Sequence, residues 1–258
     1  MIFLEISDTI DIRFEVLGIR MRHGIGEMWM RRLSIIFIAL FVVLTPIVLL
    51  LTDVQMVAFN RDYYRAEYTK YRIPEYIGMK MNNLMDSTEK LLSYLDNKRN
   101  DLDFKGSFIK GEEEFFSQRD KQHMVDVKGL FVKGRFIRNF SAIYIAIFLL
   151  LLFWKKPVKR QLRKLAACGI AAAVAGIAPV LIIVVLMSID FYKYFTVFHK
   201  IFFTNDLWLL DPSNDRLINI FPQDFFTDMA FSISYLYIAE MAAILVGSLL
   251  ILRLVRSR

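Results

Sequence analysis

The stretch "LSIIFIALFVVLTPIVLLL", residues 33–51, contains 19 residues without a single charge. A helix of roughly 20 apolar residues is long enough to cross the hydrocarbon core of a bilayer. Two further runs have the same character, since residues 165–189 contain no charge and residues 229–252 contain only Glu240. With 56% of its 258 residues apolar, the chain is predicted to be an integral membrane protein.

A fourth, shorter run completes the set of apolar segments. Residues 139–154 are uncharged, and Phe136 and Ile137 extend this run past Arg138, whose long side chain can reach the interface. We therefore predict a mainly α membrane protein, a four-transmembrane-helix bundle with a small mixed α/β extracytoplasmic cap. The predicted spans are residues 33–52, 136–154, 165–189 and 229–252.

The basic residues lie next to alternate ends of these spans. Five arginines precede the first span, the segment "KKPVKRQLRK" (155–164) has six basic residues and no acid, and three arginines follow the last span. Because positive flanking segments stay in the cytoplasm, residues 1–32, 155–164 and 253–258 are predicted to be cytoplasmic, with residues 53–135 and 190–228 outside. This distribution accounts for the net charge of +7 and speaks against a nucleic-acid partner.

The two predicted outer segments have a local pattern of their own. In the first, apolar residues at helical spacing between Ile77 and Leu95 predict a helix, with Pro74 near a helix start. "LDFKGSFIKG" (102–111) predicts strand and turn, and "EEEFFSQRDKQHMVDVKGLF" (112–131) predicts a helix leading into the second span. In the second segment, "LWLLDPSNDRLINIF" (207–221) predicts a hairpin around an Asp-Pro-Ser-Asn-Asp turn.

Two of the three histidines fall in these outer segments, and histidine titrates near neutral pH. On a helix, Asp120 and Asp126 would flank His123 on one face and could orient its imidazole. His199 would share a face with the aromatic wall of Phe195, Phe202 and Phe203. A base against an aromatic wall is a plausible catalytic setting, although the same phenylalanines could form only an interfacial belt.

Other chemistry is less well supported by the sequence. It has no HExxH motif or paired-histidine spacing, and we predict no metal and no cofactor. The single cysteine, Cys168, lies near the cytoplasmic end of the third span, on the side opposite to the outer histidines. Glu240 lies at mid-span, where a charge is expected to face a partner or a cavity.

The residues that surround the two histidines suggest a family. "HMVDVKGLF", which begins at His123, and "FHKIFFTNDLWLLDPSNDRLINIFPQDFF" (198–226) resemble the lipoprotein intramolecular transacylase (Lit) family of bacterial four-span membrane proteins. The resemblance implies an enzyme that moves the sn-2 acyl chain of a diacylglyceryl-modified lipoprotein onto the α-amino group of its N-terminal cysteine. It also implies a multi-pass protein of the bacterial cell membrane, in contact with membrane lipids, whose site lies on the outer face.

The implied reaction assigns roles to named residues. His199 is the expected base that deprotonates the amine, and His123 is expected to return a proton to the leaving oxygen or to hold the headgroup. Candidate donors to the oxyanion are Lys200, Asn205 and Arg216, and candidate orienting carboxylates are Asp120, Asp126 and Asp206.

The sequence is also compatible with two functions other than catalysis. In one, the protein is a non-catalytic outer-face subunit whose aromatic loops bind a lipid or a protein partner. In the other, it is an ion or solute carrier, which is weakly supported because Glu240 is the one charge deep in a predicted span. Replacement of His199 alone would distinguish the non-catalytic subunit from the enzyme, because only the enzyme should lose activity.

Overall fold

The structure is a computed structural model that describes residues 25–154 and 157–256. Most of the predicted cytoplasmic extension, including His23, lies outside these residues. In chain order the described elements are α1 (Ile25–Ala58), α2 (Arg61–Lys70), α3 (Ile73–Ile77), α4 (Met81–Leu95), β1 (Lys105–Phe108), β2 (Gly111–Glu114), α5 (Gln118–Phe153), α6 (Val158–Ile189), α7 (Phe191–Phe202), α8 (Leu217–Ile220) and α9 (Gln223–Arg256).

Four of these helices, α1, α5, α6 and α9, are long and apolar enough to cross a membrane. A continuous helix suits a lipid environment because all of its central backbone groups are hydrogen-bonded within the segment. Together with the small antiparallel sheet of β1 and β2, these helices confirm the predicted fold class.

The described chain divides into two compact units. The first, here called the bundle unit, comprises the residues up to 50, residues 138–180 and the residues from 237. Its buried apolar residues include Phe41 and Phe148, whose rings stack with centroids 4.3 Å apart. Ala172 and Ala173 are fully buried on α6. Small residues at such positions allow helix backbones to approach closely.

The second unit, here called the cap unit, comprises residues 51–137 and 181–236. Its core is rich in aromatic rings, with Tyr64, Tyr68, Phe221 and Phe225 in mutual contact. The buried hydroxyl of Tyr68 hydrogen bonds with that of Thr88 at 2.9 Å. Large rings of this kind bury much apolar surface, and a buried tyrosine hydroxyl usually finds a hydrogen-bond partner.

Several local predictions for the cap unit are confirmed. Helix α4 covers most of the predicted helical stretch, and Pro74 lies in the first turn of α3. The predicted strand and turn is the hairpin of β1 and β2, in which Gly111 opens β2 with a φ of +137°. That conformation is open to glycine and strained for other residues.

Two predictions are wrong in detail. Glu112, Glu113 and Glu114 belong to β2, and the helix expected there begins only at Gln118. No hairpin forms across residues 207–221 of the described chain, which instead contain a turn followed by α8.

The reason lies in the turn itself. The carboxylate of Asp211 accepts hydrogen bonds from the backbone N–H of Ser213 and the amide of Asn214, and Asp215 accepts from the N–H of Asp211. Side chains thus take up backbone groups that a β ladder would need, which is the known competition between Asx turns and regular structure. Leu217 and Ile220, buried three residues apart, then favour a helical turn.

Candidate active site

The cap unit brings together the two histidines that the sequence places 76 residues apart. His123 lies in the second turn of α5 and His199 near the end of α7, and their ring centroids are 6.0 Å apart. Each side chain is about 6% exposed. Two buried imidazoles from different helices therefore lie next to each other.

An aromatic box surrounds His199. Its ring centroid lies 4.1 Å from that of Phe195, 4.9 Å from Trp208, 5.4 Å from Phe198 and 5.5 Å from Phe203. The box differs from the predicted wall, because Phe202 is exposed and packs against Phe198 with the two rings tilted by 43°. Helix α7 ends at Phe202, and the extended backbone of Phe203 turns that side chain back toward the histidines.

The hydrogen bond of His199 determines which of its nitrogens is basic. Nδ1 lies 2.8 Å from the carbonyl oxygen of Phe195, one turn earlier on α7. A carbonyl only accepts, so Nδ1 carries the hydrogen and Nε2 of the neutral ring keeps its lone pair. Burial lowers the pKa of His199, and the bond to the Phe195 carbonyl acts in the opposite direction. His199 is therefore a neutral base at pH 7.

His123 has a less constrained ring. Its plane stands edge-on to Phe203 with centroids 5.2 Å apart, and Nδ1 has no hydrogen-bond partner within the described chain. Since the two imidazoles are close and poorly hydrated, a charge on one disfavours a charge on the other. The pair is thus suited to holding and passing a single proton.

The predicted orienting carboxylates have other partners. Asp120 is fully buried and accepts the backbone N–H groups of Ser117 at 3.1 Å, Arg216 at 3.0 Å and Leu217 at 3.4 Å. A carboxylate that accepts several N–H groups is a strong tie between the segments that carry them. Asp120 joins the start of α5 to the start of α8.

Asp126 and Asp206 connect α5 to the segment that follows α7. Asp126 accepts a hydrogen bond of 2.9 Å from the side-chain amide of Asn205. Asp206 is exposed, and its backbone oxygen accepts from the guanidinium of Arg119. These contacts hold the chain after His199 against the helix that carries His123.

The three predicted oxyanion donors differ in how they are engaged. Asn205 binds Asp126, as above. The guanidinium of Arg216 donates to the carbonyls of Glu114 at 2.9 Å and Phe115 at 3.2 Å, and it lies over the ring of Phe108 at 4.1 Å. Arg216 therefore stabilises the β hairpin. Lys200 is exposed and directly follows His199.

Two residues near the histidines were not predicted from the sequence. Arg119 precedes His123 by four residues, a helical spacing that could have revealed it. Trp208 packs on His199 from beyond the end of α7, where no periodicity carries over from the helix.

The remaining predicted chemistry falls elsewhere. Cys168 is buried in the bundle unit, and Glu240, expected to face a partner or cavity, is exposed on α9. Over residues 25–154 and 157–256, no three His, Cys, Asp or Glu side chains converge in a possible metal site.

Comparison with known proteins places this geometry in a family. A family model described as "Lipoprotein intramolecular transacylase Lit" matches residues 39–226, whereas no curated protein matches the chain significantly.

Solved structures show the same fold. The membrane integral lipoprotein intramolecular transacylase Lit from Bacillus cereus is similar with a TM-score of 0.67 and 21% identity, over 86% of this chain and 97% of that one. A variant of that protein with a histidine replaced by arginine has a TM-score of 0.64 and 22% identity, over 90% of this chain and 94% of that one. With its family model covering well over half of its residues, the chain belongs to the lipoprotein intramolecular transacylase family, whose members are acyltransferases.

Proposed function

We propose that the His123 and His199 pair is the catalytic centre of an intramolecular O-to-N acyl transfer on diacylglyceryl lipoproteins. The α-amino nitrogen of the N-terminal cysteine attacks the carbonyl carbon of the sn-2 ester. A C–N bond forms, the C–O bond to glycerol breaks, and the amine proton ends on the freed sn-2 hydroxyl. The product is a lyso-form lipoprotein of unchanged mass.

The observation that carries this proposal is the pair itself, two buried histidines whose rings lie 6.0 Å apart. An α-amine with a pKa of about 8 is mostly protonated at neutral pH, so one proton must leave to solvent before attack, and a second leaves the nitrogen as the C–N bond forms. Nε2 of His199 is the expected acceptor, since Nδ1 is engaged with Phe195. General acid–base help of this kind contributes about 10² to 10⁴-fold in rate.

No enzyme nucleophile, metal or cofactor is needed in this scheme, because the substrate contains both the ester and the amine. The enzyme gains by holding the two groups in a near-attack arrangement, which can supply a large effective molarity. The aromatic box around His199 excludes water from that arrangement, so that the ester is transferred and not hydrolysed.

His123 is the proposed donor to the leaving sn-2 oxygen. Burial and the neighbouring His199 lower the pKa of His123 to about 4, so its ring is neutral at rest. It is proposed to take the proton from His199 and pass it to the leaving oxygen. Lys200, exposed beside His199, is the proposed donor to the oxyanion. Asn205, Arg216, Asp120, Asp126 and Asp206 are proposed to act by positioning, since their hydrogen bonds connect the segments that carry the histidines.

The distribution of basic residues indicates on which side of the membrane the proposed site lies. The protein is integral to the membrane, and its basic flanking segments support cytoplasmic termini and a site on the outer face of the bacterial cell membrane. Lipid-modified substrates and bilayer lipids would then meet the cap unit directly.

The test is mass spectrometry of the N-terminal lipopeptide of a reporter lipoprotein, from cells that make only the diacylglyceryl form. Wild type should yield an N-acyl, mono-O-acyl species of equal total mass, and His199→Asn should not. Asparagine retains a donor for the Phe195 carbonyl but has no basic nitrogen. Lys110→Ala, at the exposed hairpin turn, is the control with full activity. An active His199→Asn variant would remove the histidine from the mechanism.

If the wild-type protein is folded in the membrane and leaves the diacylglyceryl form unchanged, the non-catalytic binding subunit becomes the better reading. Membership of an acyltransferase family argues against that outcome.

A further inference from the structure

Helix α7 has three distinct faces. One is packed inside the cap unit and carries Phe191, Phe195 and His199. A second, here called the apolar arc, carries Val197, Phe198 and Ile201, which are 42%, 45% and 70% exposed. On the helical wheel the third side, here called the polar arc, presents the exposed residues Tyr192, Lys193 and Lys200.

The apolar arc needs an apolar partner. A soluble protein rarely leaves several neighbouring large apolar side chains exposed on one helix face, and such patches usually mark an interaction site. A helix with one apolar and one basic exposed side is typical of segments that lie in the plane of a membrane surface.

The start of α7 is continuous with a membrane-spanning helix. Exposed apolar residues run along the last turns of α6 up to Ile189, which is 75% exposed. Asp190 then interrupts the helix, and its carboxylate accepts the N–H of Lys193 at 3.0 Å as the N-cap of α7. The chain therefore restarts as a new helix immediately where a lipid-facing helix ends. At 12 residues, α7 is too short to cross the bilayer itself.

We propose that α7 lies along the membrane surface, with its apolar arc among the acyl chains of bilayer phospholipids. Lys193 on the polar arc reaches the phosphate groups of these lipids, as basic side chains do at membrane interfaces. The occupant is the bilayer because α7 begins directly where the apolar, exposed end of α6 stops and the charged side chains beside the apolar arc are basic.

This placement has a consequence for the site. Phe198 belongs to the apolar arc and also contacts the ring of His199, with centroids 5.4 Å apart. One side chain thus separates the acyl-chain layer from the imidazole. The inference concerns where α7 lies and does not depend on the reaction at His199.

The test measures the environment of single positions in the full-length protein. In a Cys168→Ser background, Ile201→Cys on the apolar arc and Tyr192→Cys on the polar arc each receive a nitroxide label. Both positions are well exposed, so a label there displaces no core side chain. The labelled protein is reconstituted into vesicles of phosphatidylethanolamine and phosphatidylglycerol, and collisions with oxygen and with a water-soluble nickel chelate are measured.

The label at position 201 should collide more with oxygen than with nickel, and the label at 192 should show the reverse order. Val197→Cys gives a second reporter of the apolar arc should the first variant fold poorly. If position 201 is as accessible to nickel as position 192, α7 is in water and the proposal is wrong. Low accessibility to both reagents at 201 also overturns it, because protein then covers the face. This experiment does not measure acyl transfer, so its result stands even if the proposed acyltransferase function is wrong.

Discussion

The bundle unit and the cap unit pack by different means. In the cap unit, tyrosine and phenylalanine rings form a broad core, and buried hydroxyls such as those of Tyr64 and Tyr68 are hydrogen-bonded. In the bundle unit, few large side chains are buried, while glycine and alanine on α6 allow close approach. Lipid gives helices little hydrophobic reason to associate, so close packing replaces burial as the main stabilising term.

This difference in packing gives a physical reason why His123 and His199 lie in the cap unit and not in the bundle unit. The proposed base, His199, has to be shielded from water and held by hydrogen bonds and rings, and the cap unit supplies both. Four experiments test this difference between the two units.

His199→Asn should abolish transfer while leaving both units folded. Loss of the base is expected to lower the rate by about 10² to 10⁴-fold. The rate is followed by lipopeptide mass spectrometry, and hydrogen exchange reports the fold of each unit. If activity is lost and hydrogen exchange has risen throughout the cap unit, the loss reflects unfolding. His199 would then have a structural role and not a catalytic one.

Asp120→Ala should destabilise the cap unit alone. The change leaves the N–H groups of Ser117, Arg216 and Leu217 without their buried acceptor, at an expected cost of about 1–3 kcal/mol for each group left unsatisfied. Hydrogen exchange should rise in residues 51–137 and 181–236 and stay constant elsewhere. Asp86→Ala, on the exposed side of α4, is the control, with a change within about 0.5 kcal/mol.

Gly176→Ala should act on the bundle unit alone. A Cβ at this position would lie 2.4 Å from the hydroxyl of Tyr237 and 2.8 Å from Cβ of Pro46. Overpacking of this kind costs about 1–3 kcal/mol. Gly247→Ala on α9 is a matched control because its Cβ would meet no atom within 4 Å. Equal stability of the two variants in bicelle unfolding would contradict the close-packed account of the bundle unit.

Acid should weaken the cap unit and leave the bundle unit unchanged. Burial lowers the pKa of His199 below its ordinary value of 6.5, so the unfolded chain binds a proton at a higher pH than the folded one does. The stability from this group is therefore complete above pH 6.5 and falls as the pH drops toward the folded pKa, by at most about 1.4 kcal/mol per pH unit. His199→Asn should reduce the slope of stability against pH. An unchanged slope would mean that His199 does not titrate in this range.

Much of this fold follows from the sequence, because long uncharged runs have few structural options in a membrane. The helix around Leu84 and the hairpin near Gly111 follow from local spacing and turn chemistry. The choice of His123 and His199 as candidate site residues also follows, because they are the histidines of the predicted outer segments.

What could not be predicted depends on contacts between distant parts of the chain. Asp120 appears from local spacing to orient His123, yet its partners Arg216 and Leu217 lie almost a hundred residues later. Arg216 is expected from the sequence to donate a hydrogen bond to an oxyanion, but its guanidinium donates to carbonyl oxygens of Glu114 and Phe115 at the end of the hairpin. The turn at Asp211 looks like a hairpin until its side chains are seen to bind the backbone.

The hydrogen bonds of Asp120 with Arg216 and Leu217 can form only late in biosynthesis, because the partners are far apart in the chain. Its acceptor oxygens are made 96 residues before the N–H of Arg216, a delay of about 5–20 s at ordinary translation rates. The helices α5 and α6 emerge in that interval, and each must enter the membrane before the later segment can be delivered to the same side. A ribosome-bound chain thus has one histidine in place and no partner for it. Because the proposed mechanism needs both histidines, acyl transfer is expected to begin only after the segment that carries His199 has been translated and inserted.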